Sequence, residues 1–219
     1  MNKIIIFGIG TVAKAFYKYL KNDNEFKISA FTCDQKFINS HSLNEIPIID
    51  SNELITHFSP EEYQLVIAIG YHELGASRFQ VYERFKKMGY KFLSYCKDEC
   101  EIGANSLVLP GATIQPGVRI GNNVVIWGNA LIGHDCIIDD NTWITGGAAI
   151  GGNTSINKFC FIGLNSTIGP NITIGEYSII GAHTLTTKNV PPNSVIVSQD
   201  TPKHRLSSKD FIKLSKSFI

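Results

Sequence analysis

The sequence predicts two successive domains, a Rossmann-like α/β domain over residues 1–98 and an all-β parallel β-helix over residues 99–219. Two observations lead to this prediction. Up to residue 95, short apolar strands alternate with helical patterns, and a glycine-rich turn follows the first strand. From residue 102 onward, an aliphatic residue instead returns at every sixth position.

The composition indicates a soluble globular protein. Of the residues, 43% are hydrophobic and 18% are charged, and the formal net charge is +1. This balance gives no reason to expect nucleic acid or an anionic membrane as partner, because both are bound by concentrated basic faces. The apolar stretch at residues 4–7 is too short for a signal-peptide core, and no segment reaches membrane-spanning length. We therefore expect a cytoplasmic protein.

The cysteines predict reduced thiols rather than a disulfide framework or a zinc ribbon, because their number is odd and no two form a C-x-x-C pair. They are Cys33, Cys96, Cys100, Cys136 and Cys160. Cys96 and Cys100 could supply half of a metal site, but no second pair of ligands lies near them in sequence. We expect no bound metal.

The N-terminal domain is predicted to alternate strands with helices. Strands are predicted at residues 3–7, 27–32, 65–69 and 90–95, and helices at residues 12–20 and 78–88. The first strand runs into the turn Gly8-x-Gly10-x-x-Ala13, which opens the first helix. Such a turn lets the backbone approach a phosphate, and the helix N-terminus offers N–H groups to it.

We predict that Gly8, Gly10 and Thr11 bind the diphosphate of a nucleotide. Asp34, which follows the second strand, is predicted to contact the ribose or base, and Gly70, which follows the third, to line the same site. One nucleotide is favoured over NAD, because the domain is only about half of a full dinucleotide-binding unit. The alternative is that these glycines serve tight packing alone.

The C-terminal repeat consists of two columns of residues. A β-branched aliphatic residue occupies the first column without a miss, at Ile102, Val108, Ile114, Ile120, Ile126, Ile132, Ile138, Ile144, Ile150, Ile156, Ile162, Ile168, Ile174 and Ile180. Four positions after each of them comes a mostly small residue. A period of six fits neither a helix nor a simple strand, so each unit is predicted to be a short strand plus a corner. Three units form one triangular coil, and coils stack at the ~4.8 Å spacing of β-strands.

The consensus Ile-Gly-x-x-small-x resembles the left-handed β-helix of the hexapeptide-repeat acyltransferases, and the left hand is implied by that resemblance. Together with the half-size Rossmann-like domain, the chain resembles the PglD/NeuD family of bacterial sugar acyltransferases over nearly its whole length. The motifs that carry this resemblance are Gly8-Ile-Gly10-Thr-Val-Ala13, Val66-Ile-Ala-Ile-Gly70 with Arg78 downstream, Ile132-Gly-His134-Asp135-Cys136, Gly146-Gly147-Ala148, Gly151-Gly152-Asn153, Gly181-Ala182 and Lys188-Asn-Val190-Pro191.

The resemblance implies a homotrimeric acetyltransferase that uses acetyl-CoA as cosubstrate and acts on a nucleotide-linked amino sugar in glycan biosynthesis. It also implies that CoA lies in the groove between neighbouring β-helices, where Gly151, Gly152, Gly181, Ala182 and Lys188 are the matching residues. Two alternatives remain open. One is O-acetylation of a sialic acid or polysaccharide unit, and the other is a non-catalytic trimeric β-helix that serves as a scaffold.

By the same resemblance, His134 is the catalytic base and Asp135 is the acid that orients it. A base with a pKa near neutrality suits the deprotonation of an amine or alcohol, and a carboxylate fixes the tautomer of the imidazole. The resemblance also implies an oxyanion donor at the backbone N–H of Gly152. The alternative for His134 is an exposed turn histidine without a catalytic role.

Three positions depart from the family members that acetylate a 4-amino sugar. Those members carry an asparagine, an acid and a histidine where this sequence has Trp127, Gly133 and Trp143. Both tryptophans are predicted to contact the acceptor, with their indole rings stacked on the apolar face of a deoxysugar.

The C-terminal tail is predicted to form a short amphipathic helix. Ser207 and Asp210 give a capping-box pattern, and the apolar residues that follow are Phe211, Ile212, Leu214 and Phe218. We expect this helix to pack on the trimer rather than on a membrane.

Overall fold

The computed structural model describes residues 1–215 and confirms the predicted fold class, a Rossmann-like α/β sheet followed by a left-handed parallel β-helix. The elements of the N-terminal domain are β1 (Asn2–Phe7), α1 (Thr11–Lys21), β2 (Phe26–Cys33), β3 (Ser42–Leu43), β4 (Ile46–Asp50), α2 (Leu54–His57), β5 (Tyr63–Ile67), α3 (Ala76–Lys87) and β6 (Lys91–Phe92), with short 3-10 segments at Gln35–Phe37 and His72–Gly75.

The sheet has the strand order β3-β4-β2-β1-β5-β6. Every neighbouring pair is parallel except β3 with β4. The central strand β1 is apolar on both faces, as expected for a parallel sheet covered on two sides. Ile4 and Ile6 belong to the same core as α1, whereas Ile5 and Phe7 belong to the core formed with α2 and α3. This places the carboxyl ends of β1, β2 and β5 at one edge.

The segment between β2 and β5 contains elements that the sequence patterns do not predict, namely β3, β4 and α2. Pro47 lies within β4, and proline argues against a strand because it cannot donate to the ladder. The helix α2 has only four residues, which is too short for a helical period to be recognised. The predicted strand at residues 90–95 is reduced to the two residues of β6 and an isolated bridge between Tyr95 and Leu107.

The β-helix is built from two-residue strands joined by corners. They are β7 (Glu101–Ile102), β8 (Leu107–Val108), β9 (Thr113–Ile114), β10 (Arg119–Ile120), β11 (Val125–Ile126), β12 (Leu131–Ile132), β13 (Ile137–Ile138), β14 (Trp143–Ile144), β15 (Ala149–Ile150), β16 (Ser155–Ile156), β17 (Phe161–Ile162), β18 (Thr167–Ile168), β19 (Thr173–Ile174), β20 (Ile179–Ile180), β21 (Leu185–Thr186) and β22 (Val195–Ile196). From β7 to β18 each strand pairs with the third strand after it, which gives three parallel sheets and a triangular cross-section. The first sheet contains β7, β10, β13, β16 and β19, the second contains β8, β11, β14, β17, β20 and β22, and the third contains β9, β12, β15, β18 and β21.

The predicted aliphatic column forms the core of this β-helix. All of its members are buried except Ile102, which is half-buried at the open end. Cys136 and Cys160 occupy the column of small residues and are also buried in the same core. Each coil thus contributes three stacked aliphatic side chains, and burying such a side chain stabilises the fold by roughly 1.5–3 kcal/mol.

The coils continue beyond Ile180, the last member of the predicted aliphatic column. Val190 bridges to Ile174, and β22 pairs with β20. The step from Thr186 to Val190 spans four residues instead of six, so the period is interrupted there although the stacking continues. The period therefore underestimates the length of the β-helix by one partial coil.

The second sheet, which contains β8, β11 and β14, is covered by the N-terminal domain. The outward side chains of Leu107, Val125 and Trp143 are buried in one core with Phe16 of α1 and Val66 of β5. The outer face of this sheet is therefore an interdomain contact, and the other two sheets lie away from the N-terminal domain.

Arg78 of α3 links the two domains and is only 1% exposed. Its Nε donates to the carbonyl of Ile67 at 3.0 Å, and its Nη2 donates to the carbonyl of Asn105 at 3.0 Å. Its Nη1 donates to both oxygens of Asn123. Burial lowers the pKa of Arg78 to about 9, so the guanidinium is still protonated at pH 7. Its charge is therefore held by oxygen dipoles at a corner of the β-helix.

The tail forms the predicted helix, α4 (Ser208–Ser215). One half of the capping box is present, because the Asp210 N–H donates to Ser207 Oγ at 3.2 Å; the Asp210 carboxylate accepts from the Ser207 hydroxyl at 2.6 Å. Phe218, the last apolar residue of the predicted helix, lies outside the described residues. Within residues 1–215, no helix is long and apolar enough to cross a membrane.

We expect Arg78→Met to lower the free energy of unfolding by about 3 kcal/mol, because it leaves buried carbonyl oxygens at residues 67, 105 and 123 without their donor. Urea denaturation followed by circular dichroism measures this change. Lys87→Met, an exposed cation on the same helix, is the matched control and should change stability little. Equal midpoints for both variants would contradict the structural role given to Arg78.

Candidate active site

The corners between the strands stack into three edges, two of which carry the predicted site residues. The His134 edge joins the third sheet to the first and comprises residues 115–118, 133–136, 151–154, 169–172 and 187–190. The Trp127 edge joins the second sheet to the third and comprises residues 109–112, 127–130, 145–148, 163–166 and 181–184. A residue lies above the residue 18 positions later, as the Asn153 to Asn171 hydrogen bond shows.

His134 and Asp135 form a pair on the His134 edge. The Nδ1 atom of His134 lies 2.8 Å from Oδ2 of Asp135, and the two side chains are 63% and 66% exposed. Asp135 has a φ of 57°, a left-handed conformation that asparagine and aspartate tolerate best after glycine. Its N–H donates to the carbonyl of Pro116 at 3.0 Å. The corner backbone therefore turns the carboxylate toward the imidazole.

Glycines on adjacent coils leave room for this pair. A methyl group on Gly152 would overlap the imidazole of His134, and one on Gly117 would overlap the carboxylate of Asp135. The His134 N–H also donates to Oε1 of Gln115 at 2.9 Å. The imidazole is therefore held between Asp135 and the Gly152 backbone, with Nε2 beside Gly152. Gln115 and Gly117 are not among the residues predicted from the sequence, although each lies one coil above the pair.

Of the glycine pair, only Gly152 has an N–H available for a ligand. The Gly151 N–H donates to the carbonyl of Ile168 at 2.8 Å, whereas the Gly152 N–H has no acceptor within residues 1–215. Gly133 leaves this donor uncovered, because a Cβ there would lie 2.5 Å from the Gly152 nitrogen. The base and the oxyanion donor predicted from the sequence thus lie side by side.

The residues predicted to bind CoA are divided between two edges. Gly151, Gly152 and Lys188 lie on the His134 edge, with Lys188 two coils below Gly152. Gly181 and Ala182 lie on the Trp127 edge. One chain therefore does not bring all five residues together.

The two tryptophans lie away from His134 within one chain. The ring centroids of Trp127 and Trp143 are 6.1 Å apart, and the tilted rings of Tyr71 and Phe161 lie beside them with their centroids 4.4 Å apart. Trp143 is only 5% exposed, so most of its ring packs between the domains. A cavity of about 480 Å³ opens here, lined by Val12, Tyr19, Tyr71, Pro110, Trp127, Gly128, Asn129, Trp143, Thr145, Gly146, Phe161 and Leu164. None of these side chains carries a formal charge.

Tyr71 is a member of this cavity that sequence reasoning missed. It follows Gly70 at the carboxyl end of β5, and it leads into Glu73 and Leu74, which have φ values of 52° and 53°. Two consecutive residues in the left-handed region are costly unless the surroundings hold them. The position after a strand-ending glycine is the only sequence signal that could have indicated it.

The glycine turn after β1 brings the backbone of Gly8 close to the end of β5. Gly8 has a φ of 116°, and a Cβ there would lie 2.8 Å from the Ala68 carbonyl oxygen. Gly10 is the N-cap of α1, and no side chain caps this helix. A Cβ on Gly10 would meet nothing within 4 Å, and Thr11 is exposed. The start of α1 is therefore open to a ligand.

Asp34 is held by two partners that sequence reasoning missed. Its Oδ1 accepts from Ser51 Oγ at 2.6 Å and from Arg84 Nη1 at 2.9 Å. Burial raises the pKa of this carboxyl, but the hydrogen bonds from Ser51 and Arg84 outweigh burial and hold the pKa below its usual value. Asp34 is therefore ionised at neutral pH. Gly70 lies at the neighbouring end of β5, across β1 from β2.

The fold and the edge geometry define a two-domain hexapeptide-repeat protein, a Rossmann-like sheet joined to a left-handed β-helix. Residues 102–211 match the family described as the GMPPB C-terminal domain. This match covers just over half of the chain, and the chain belongs to that family. Residues 1–90 match the family described as C2185-like, N-terminal.

Solved structures with the same fold cover nearly the whole chain. The acetyltransferase domain of PglB from Neisseria gonorrhoeae, in complex with acetyl coenzyme A, is 24% identical with a TM-score of 0.78, covering 89% of this chain and 95% of that one. A perosamine N-acetyltransferase variant from Caulobacter crescentus, in complex with CoA and GDP-perosamine, is 19% identical with a TM-score of 0.78, covering 89% and 93%. WeeI from Acinetobacter baumannii is 22% identical with a TM-score of 0.68, covering 90% and 97%. No curated protein matches the chain.

We expect Gly152→Ala to displace the His134 ring from Asp135, because the added methyl group and the imidazole cannot share one place. A crystal structure of the variant should show the Nδ1 to Oδ2 distance lengthened beyond hydrogen-bond range. Gly10→Ala is the matched control, since its methyl group meets nothing. An unmoved imidazole in Gly152→Ala would show that this glycine does not shape the pair.

Proposed function

We propose that this protein transfers the acetyl group of acetyl-CoA to the amine of a nucleotide-linked amino sugar, a step of glycan biosynthesis. The observation that carries the proposal is the arrangement of His134, Asp135 and Gly152, in which a carboxylate-held imidazole presents Nε2 beside an unpaired backbone N–H. The same fold occurs in structures described as complexes with acetyl coenzyme A and with GDP-perosamine, which is consistent with this chemistry.

In the proposed reaction, His134 acts as general base. Its Nδ1–H donates to Asp135, which leaves the lone pair of Nε2 free to take a proton from the acceptor nitrogen. Asp135 stabilises the imidazolium that results. Because the thioester of acetyl-CoA is already activated, direct transfer to the amine needs no serine or cysteine nucleophile. Cys136 and Cys160 are buried in the coil interior, in agreement with this assignment.

The backbone N–H of Gly152 is the proposed oxyanion donor. Negative charge develops on the thioester oxygen as the amine attacks, and a fixed donor stabilises it without reorganisation. Gly152 suits this role because its N–H has no acceptor in the described part of the chain and Gly133 has no Cβ that would cover it. The proton taken by His134 can then pass to the departing CoA thiolate, which regenerates the neutral imidazole.

A homotrimer would complete the site. In such an assembly, the His134 edge of one protomer would face the Trp127 edge of its neighbour, bringing Lys188 and Gly181 to one CoA groove. The third sheet lies between these edges, and it exposes Leu131 at 40% and Leu185 at 70%, which favours association. Light scattering tests this assembly. A monomeric mass would contradict it, because the CoA groove would then be formed by one protomer alone.

The nucleotide is proposed to bind at the carboxyl edge of the Rossmann-like sheet. The open start of α1 suits the diphosphate, and the ionised Asp34 suits a ribose hydroxyl or a base N–H. The sugar would extend toward the aromatic cavity, where Trp127 offers an apolar ring face. This cavity has no basic side chain to pair with a carboxylate, so it does not favour a sialic acid as acceptor.

We expect His134→Ala to lower kcat by ~10²–10⁴ while changing the KM for acetyl-CoA little, because the imidazole acts on the acceptor proton. Asp135→Asn should be milder, since a base remains in place. Turnover is measured with acetyl-CoA and a panel of nucleotide-linked amino sugars by mass shift. His41→Ala, an exposed histidine of the N-terminal domain, is the control. Full turnover by His134→Ala would refute the base assignment, and CoA binding without turnover by the wild type would favour a scaffold.

Nucleotide recognition is tested by calorimetry with UDP, GDP and dTDP as probes. Asp34→Ala should weaken the best of them roughly tenfold, or about 1.4 kcal/mol, because a charged acceptor is lost. Acetyl-CoA affinity should stay the same. Glu61→Ala, which removes an exposed carboxylate of the same domain, serves as control. Equal affinities for the wild type and Asp34→Ala would remove Asp34 from the site.

A further inference from the structure

Two thiols at the start of the β-helix lie close enough to react with each other. The sulfur atoms of Cys96 and Cys100 are 3.2 Å apart, with the Cys100 thiol donating to Cys96. Both residues are half-buried, whereas Cys33, Cys136 and Cys160 are buried. Residues 96–100, which we call the thiol loop, therefore contain the more accessible cysteines of the chain.

A series of hydrogen bonds connects the thiol loop to residues 133–136, the corner that carries His134 and Asp135. At its middle, Asp98 Oδ2 accepts from the Ile114 N–H at 3.0 Å. The next residue is Gln115, whose Oε1 accepts from the His134 N–H at 2.9 Å. The following carbonyl, that of Pro116, accepts from the Asp135 N–H. The thiol loop therefore supports the corner on which His134 and Asp135 rest.

The thiol loop and Asp135 also border the same surface cavity. This cavity measures about 560 Å³, and Cys100 lies on its wall together with Asp135. Gly117 and Arg119 also line it. A change in the position of Cys100 would therefore alter the surroundings of the Asp135 carboxylate directly, as well as through Asp98.

We propose that Cys96 and Cys100 form a reversible disulfide that lowers the activity of the His134 site, an inference that rests on the proposed acetyl transfer. The oxidant is a small disulfide such as oxidised glutathione. The Cys96 thiolate attacks one of its sulfurs and releases one glutathione thiolate. Cys100 then loses its proton and attacks the Cys96 sulfur, which releases the second glutathione. Two protein thiols are thereby oxidised, and one glutathione disulfide is reduced to two thiols.

Two properties of the loop determine the order and the effect of this reaction. The Cys100 thiol donates to the Cys96 sulfur, and burial together with this contact raises the pKa of Cys100, so Cys96 attacks first. A disulfide requires the sulfurs to approach from 3.2 Å to about 2.05 Å with a defined dihedral angle, so the residues of the loop must adjust their positions. Asp98 lies between the two cysteines, and we expect this adjustment to weaken its hydrogen bond with the Ile114 N–H. The reduced form is therefore the active one.

The test compares reduced and glutathione-disulfide-treated protein. Alkylation under denaturing conditions should label all five cysteines before treatment and leave Cys96 and Cys100 unlabelled after it. Oxidation should lower kcat roughly threefold to tenfold, and dithiothreitol should restore it. The ring signals of His134 in a ¹H–¹³C NMR spectrum should shift on oxidation. This measurement monitors the surroundings of His134 and does not require acetyl transfer. Cys96→Ser is the control and should show none of these changes.

The outcomes separate the two proposals. Labelling of both cysteines after treatment would overturn the disulfide, whatever the activity. A mapped disulfide with unchanged His134 signals and unchanged kcat would overturn the regulatory role. A shift of the His134 signals in a protein without acetyl transfer would leave the coupling intact and would contradict the proposed function alone.

Discussion

The buried guanidinium of Arg78 is the contact on which the relative placement of both domains depends. It joins the end of β5, through the Ile67 carbonyl, to the corner residues Asn105 and Asn123 of the β-helix. Asn105 reinforces this link, because its Oδ1 accepts from the Ile67 N–H at 2.9 Å. A buried arginine without a carboxylate is stable only when oxygen dipoles surround it, so these acceptors must keep their positions. The nucleotide-binding edge and the aromatic cavity are consequently held in one orientation.

The β-helix could be predicted from the sequence because its structure is local and repetitive. A six-residue period fixes which side chain points inward, and three periods fix which residues stack. The neighbourhood of His134 and Gly152 follows directly, since these residues are 18 positions apart, the same separation as the stacked Asn153 and Asn171. The same arithmetic places Trp127, seven positions before His134, on another edge. The separation of Trp127 from His134 within one chain is therefore also encoded in the period.

The features that could not be predicted depend on contacts between distant segments. Arg78 appears in the sequence only as a cation in a helical pattern, and its asparagine partners appear only as corner residues. Ser51 and Arg84 meet Asp34 across 17 and 50 positions, respectively. Tyr71 likewise becomes part of a cavity only because α1 and the second sheet approach it. No local period encodes such pairings, whereas strand, corner and cap signals are local by nature.

The interruption at Thr186 to Val190 has a consequence for the solubility of the β-helix. A stack of parallel coils ends in unpaired backbone groups, on which another chain could grow by adding strands. Here Val190 bonds to the last coil through its own N–H and carbonyl, and Pro191 and Pro192 follow it without any N–H to offer. At this corner the broken period therefore acts as a terminator against end-to-end polymerisation, a hazard that a perfectly regular repeat would retain.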